Sequence, residues 1–197
     1  MTMSKSKFKK AVVIASAIAA VALLSEILCI MRIAKTVKSN LEYSEIALVK
    51  LCANYAWGAQ ETVYILTSDG TLYFDDDLTR DYGEKSIYGY NVHESLTEYV
   101  LSAINENKSV YRGEERPEIL NTLITLTDYE SIDLKLRHSA YDMGTTSYCV
   151  LLIKDDSAKL IETKQTGDYS STAHNPIIEI ICTTFDMTLS TINKKLG

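Results

Sequence analysis

Residues Ala11–Met31 form one apolar run, AVVIASAIAAVALLSEILCIM, broken only by Ser16, Ser25 and Glu26. As a helix rising about 1.5 Å per residue, a run of this length reaches about 30 Å, the hydrocarbon thickness of a bilayer. A helix that is apolar on every side must be covered, by lipid or by a large protein core. Ahead of the run, MTMSKSKFKK carries four lysines and no acid.

Three readings compete: an uncleaved anchor, a cleaved signal peptide with Ala11–Leu24 as its apolar region, and a buried helix of a soluble protein. Signal peptidase wants small residues at −3 and −1 just after the apolar stretch. Here Ser25-Glu26-Ile27-Leu28-Cys29 follows Leu24, and Arg32-Ile33-Ala34 places a charge at −3. Glu26-Ile27-Leu28 before Cys29 does not form a lipobox. The anchor is therefore expected. It divides the chain into a basic cytoplasmic tail (1–10), a transmembrane signal-anchor (11–31) in contact with the lipid bilayer, and an extracytoplasmic domain (39–197). Four lysines precede the span, and Arg32, Lys35 and Lys38 follow it. A short tail with that much charge is costly to translocate, so a single-pass protein of the cell membrane with its C-terminal domain outside is expected. Ala11, Ala15 and Ala19 form a small-residue stripe that suits close packing of a second span, from a homodimer or a protein partner.

Charge is unevenly distributed. Residues 1–40 hold seven Lys or Arg against Glu26 alone, so the chain's net −6 leaves −12 on the remainder. An acidic domain is a poor partner for nucleic acid, which needs clustered basic groups, and for anionic lipid. Cys29 lies in the apolar run, leaving Cys52, Cys149 and Cys182 for the domain. They allow at most one intrachain disulfide and form no CxxC. They read as small buried residues.

Beyond the span, Ser39-Asn40-Leu41-Glu42 has the form of a capping box. It predicts a helix with Leu41, Leu48, Cys52 and Tyr55 on one face, ending near Trp57-Gly58. Thr62–Thr67 and Thr71–Phe74 flank Ser68-Asp69-Gly70, the signature of a hairpin. Leu96, Tyr99, Val100, Ala103 and Ile104 give a helical stripe. Pro117 opens another helix carrying Ile119, Leu120, Leu123 and Ile124. Ile132, Leu134 and Leu136 alternate with charged residues and predict a half-buried strand. Strands at 147–153 and 159–163 follow, joined by Lys154-Asp155-Asp156-Ser157. Asn175 then caps a helix that starts at Pro176 and buries Ile178, Cys182, Phe185, Leu189 and Ile192. The expected fold class is α+β: an N-terminal transmembrane helix, then a five-stranded antiparallel sheet of two plus three strands flanked by helices. This order resembles the PAS-like arrangement of extracytoplasmic sensor modules. Those sensors return to the membrane to drive an output domain, and no second apolar span follows here, so signalling by that route is not expected. The stretches Ser68-Asp69-Gly70-Thr71-Leu72-Tyr73, Tyr141-Asp142-Met143-Gly144 with Tyr148, and Gly167-Asp168-Tyr169 are similar to small membrane-anchored exported proteins of Gram-positive anaerobes. Those proteins have no assigned activity, so the resemblance implies an address and no mechanism.

No reactive motif stands out. His93-Glu94 begins like a zinc-protease motif, but Thr97 occupies the second histidine position. Cys149 or Cys182 with His138 or His174 is the available thiol–imidazole pairing. No G-x-S-x-G or glycine-rich phosphate loop occurs. Asp75, Asp77 and Asp81 lie in the densest carboxylate cluster. A solvated acidic loop is the plain reading and a weak calcium site the sharper one; EF-hand spacing fails because Arg80 stands where glycine is needed. No other cofactor is expected. Tyr82, Tyr88 and Tyr90 cluster in the same polar loop, and tyrosine suits recognition because it joins apolar area to a hydroxyl. These residues predict a tethered, non-catalytic binding domain. The alternatives are an exported hydrolase with a site built from distant residues, and an accessory subunit of a membrane sensor or transporter.

Overall fold

The computed structural model describes residues 5–54, 60–75, 92–106, 109–112, 116–139, 144–155, 157–171 and 175–196. Helix α1 runs unbroken from Lys5 to Asn40. It is long and apolar enough to cross a bilayer. Along its apolar stretch Ile18, Val21, Leu24, Leu28 and Met31 are all largely exposed. The helix stops where Asn40, itself buried, donates from Nδ2 to the carbonyls of Thr125 (2.8 Å) and Thr127 (2.9 Å).

The fold beyond it is α+β. Strands β1 (Glu45–Asn54), β2 (Gln60–Leu66) and β3 (Thr71–Asp75) precede helix α2 (Val92–Asn105) and the short strand β4 (Ser109–Arg112). Helix α3 (Glu118–Leu126), a 3-10 turn (Tyr129–Ser131) and strand β5 (Leu136–His138) follow. The chain closes with β6 (Thr145–Lys154), β7 (Ser157–Gly167), β8 (Tyr169–Ser171) and helix α4 (Pro176–Leu196). One antiparallel sheet takes the order β4-β3-β2-β1-β6-β7, and β5 pairs with β8 in a separate ribbon. Five long strands thus make the sheet, as expected, with β4 added at its edge. They divide three and two along the chain, where two and three were expected.

Two corrections explain that reversal. The segment expected as a capped helix after Ser39 is the central strand β1. Asn40 ends a helix instead of starting one. β1 is buried on both faces: Leu48 joins the core under α3 and α4, while Val49 and Leu51 join the core under α2. A strand covered on both sides shows no alternation of polar and apolar residues. The segment 132–136, expected as a sheet strand, lies almost wholly outside strands, and only Leu136 enters β5. Leu136 is exposed there.

The remaining elements form where local chemistry dictates. In the β2–β3 turn, Gly70 adopts φ 79° and its N–H donates to Thr67 O at 3.1 Å, a turn that a β-carbon would strain. Asp69 Oδ1 accepts from the Thr71 amide at 3.0 Å and also holds the Thr67 hydroxyl. Pro117 stands one place before α3, as its N-cap residue. Asn175 Oδ1 caps α4 through the Ile177 amide at 3.0 Å, with Pro176 at the first helical position. α4 buries Ile178, Cys182, Phe185, Leu189 and Ile192 on the sheet.

Candidate functional site

Asp75 ends β3, while Asp77, Asp81, Tyr82, Tyr88 and Tyr90 lie outside the described residues. Among the described residues no group of three His, Cys, Asp or Glu side chains is placed to hold a metal. His138 is exposed on β5 and meets the Tyr169 ring edge-on at 5.3 Å between centres. His174 lies outside the described residues. Cys149 and Cys182 are buried in the two separate cores on opposite faces of the sheet. Burial pushes the Cys149 thiol well above its ordinary value and the Cys182 thiol up to about 12. A thiol held protonated is a poor nucleophile. All four cysteines are free.

A cluster of polar contacts joins the sheet to α4. Lys50 of β1 reaches Asp186 Oδ1 at 2.7 Å, and Tyr148 of β6 donates to Asp186 Oδ2 at 2.7 Å. Lys164 of β7 pairs with Glu179. The ammonium groups of Lys50 and Lys164 stand 5.3 and 5.9 Å from the centre of the Tyr148 ring. Burial, with the carboxylate it donates to, pushes the Tyr148 hydroxyl far above its usual range, so it remains a neutral donor. Each charge has an opposite partner. The cluster therefore works as a clasp docking α4 on the sheet.

A groove of about 280 Å³ opens on the other side of α4, between the helix, the β2–β3 turn and the start of α3. Leu66, Tyr111, Pro117, Met187 and Ile192 supply apolar wall; Thr184, Thr188 and Lys195 supply polar groups. Met187 is two-thirds exposed at its mouth, at 66%. Arg116 forms part of the floor and is buried. Its guanidinium donates to Asn121 Oδ1 (2.6 Å) and to Ile46 O (2.7 Å), closing the sheet where β2 has turned away. Burial pulls its pKa down, while the nearby charges of Glu45 and Asp69 act in the opposite sense. An apolar concavity with a few fixed polar groups is the form that small-ligand and peptide sites take. Its wall draws on three stretches far apart in the chain, 66–70, 111–117 and 184–195, which is why pattern reading missed it. Met187 and Thr184 sit on the face of α4 opposite its apolar stripe and carry no periodic signal.

The α2-covered face contains a polar inset. Glu61, Ser147 and Gln165 are almost fully buried, at 1%, 4% and 4% exposure. Gln165 Oε1 is the one buried side-chain oxygen among the described residues that lacks a hydrogen-bond partner, an exception to the rule that buried polar atoms are paired.

No family model, no curated protein and no solved structure matches this chain.

Proposed function

We propose that the chain is a membrane-tethered, extracytoplasmic binding domain without catalytic activity. Helix α1 carries the reading. Its apolar side chains project on all sides, none of its most apolar stretch is buried in the protein, and it leads without a break into a folded domain. Lipid is the medium that covers such a surface. The four lysines before the span favour an inside N-terminus. Binding is favoured over catalysis because the buried thiols are held protonated and the Lys50–Asp186–Tyr148 contact is neutralised within itself. The groove beside Met187 is the ligand-facing surface, suited to an apolar group or peptide side chain with a polar end near Lys195.

The test is protease accessibility of a C-terminally tagged chain in intact cells. The tag is expected to be lost to added protease while a fragment containing α1 stays in the membrane. A tag that survives until the cells are lysed places the domain inside and overturns the topology.

A further inference from the structure

The last two turns of α1 form one wall of a cleft of about 230 Å³ whose other walls come from the 3-10 turn and from β6 and β7. From α1 it takes Arg32, Lys35, Thr36 and Ser39, a spacing that puts all four on one helical face. Lys159 of β7 adds a third cation from far along the chain. Tyr129 and Ile161 line it farther in, and Asp128 and Glu130 are its two acids. The cleft is held in shape by the Asn40 carboxamide on Thr125 and Thr127, and by Tyr129 donating to Ile124 O at 3.0 Å.

We infer that this cleft binds the phosphate headgroup of an anionic membrane lipid. The inference rests on the membrane reading above, which fixes the height of the cleft. If Met31 ends the hydrocarbon, then Arg32 to Thr36 covers about 6 Å of helix. The headgroup layer is about 5 to 7 Å deep on each side of a bilayer, so the α1 wall of the cleft lies at headgroup depth. One face of α1 continues from Arg32 toward the bilayer through Leu28, Leu24 and Val21, all exposed. A lipid seated with its phosphate by Arg32, Lys35 and Lys159 lays its acyl chain along that strip. Arg32 is held only loosely, 3.5 Å from Asp128 with its side chain 74% exposed, so an incoming phosphate competes for it at small cost. The domain's overall acidity does not forbid this, because at physiological salt fields decay within about 8 Å, and within the cleft Arg32, Lys35 and Lys159 outnumber Asp128 and Glu130.

The experiment reconstitutes the full chain in nanodiscs of phosphatidylcholine holding a minority of phosphatidylglycerol, and counts retained lipids by native mass spectrometry. Wild-type protein is expected to retain phosphatidylglycerol preferentially, and excess inorganic phosphate is expected not to displace it. Lys159→Gln should lower the preference about fivefold, the effect of one basic side chain at a charged surface. The triple variant R32Q/K35Q/K159Q should abolish it, and Lys135→Gln, outside the cleft, should leave it intact. An unchanged preference in the triple variant, an equal loss in Lys135→Gln, or displacement by inorganic phosphate overturns the inference. A chain that enters nanodiscs without lipid preference sinks the cleft alone, whereas one that never enters them sinks the tether.

Discussion

Helices α1 and α4 are both rich in apolar residues, yet they dispose of them in opposite ways. In α4 a stripe of large residues, Ile178, Cys182, Phe185, Leu189 and Ile192, is buried against the sheet, while Ile177, Ile180 and Met187 stay exposed. In α1 they fall all round, and Ile14, Ile18, Val21, Leu23, Leu24, Ile27, Leu28, Ile30 and Met31 are all exposed. Covering a large apolar side chain is worth about 1.5–3 kcal/mol, so those nine represent about 13–27 kcal/mol. Even the low figure is within the net stability of a typical domain, about 5–15 kcal/mol, and the high one exceeds it. A chain does not leave so much unsatisfied in water. The sheet serves as the apolar medium for α4, and under the proposed tethering a bilayer serves for α1.

The sharpest way to break this contrast is a matched pair of truncations, each followed by urea denaturation of the full chain in detergent micelles. Phe185→Ala should cost about 3–5 kcal/mol, because it opens a cavity in the core. Leu24→Ala should change domain stability by less than about 0.5 kcal/mol. A comparable loss from Leu24→Ala would mean that α1 packs on protein. A smaller effect is expected at the junction of the two regions. Asn40→Ala leaves the Thr125 and Thr127 carbonyls without their donor and should cost about 1–3 kcal/mol in the same assay. No change there would mean that α1 and the domain are not rigidly joined.

The smallest effect lies in the β2–β3 turn and depends on pH. The Thr67 hydroxyl, with help from Thr71, holds the Asp69 carboxyl below its ordinary value of 3.8. Its contribution is therefore full above pH 3.8 and is lost as pH falls through the lower folded value. Asp69→Asn should be the less stable protein at neutral pH, and the gap should close in acid. A gap that stays constant down to the acid limit would show that the carboxylate charge does not matter to the turn.

What was legible in the chain was local. The β2–β3 hairpin, α2 and α4 were readable because turn residues, caps and a 3.6-residue stripe lie within each segment. β1 was not, because Leu41, Leu48, Cys52 and Tyr55 happen to fit a helical face while Glu45–Asn54 is buried on both sides. What makes it a strand is its pairing with β2 and β6, a long-range fact. The alternation at 132–136 misled for the converse reason: the pattern is present, but no strand of the main sheet pairs with it. The groove beside α4 and the cleft beside α1 each draw on segments far apart in the chain. No spacing rule places Lys159 in one cleft with Arg32, or Tyr111 in one groove with Met187.

Tethering is tested most directly by alkaline carbonate extraction of membranes from cells making the full chain, with the N-terminal boundary of the retained polypeptide read by mass spectrometry. A permanent tether predicts that the polypeptide stays in the pellet with residues 11–31 intact. Release into the supernatant, or a mature chain beginning after Met31, would contradict it.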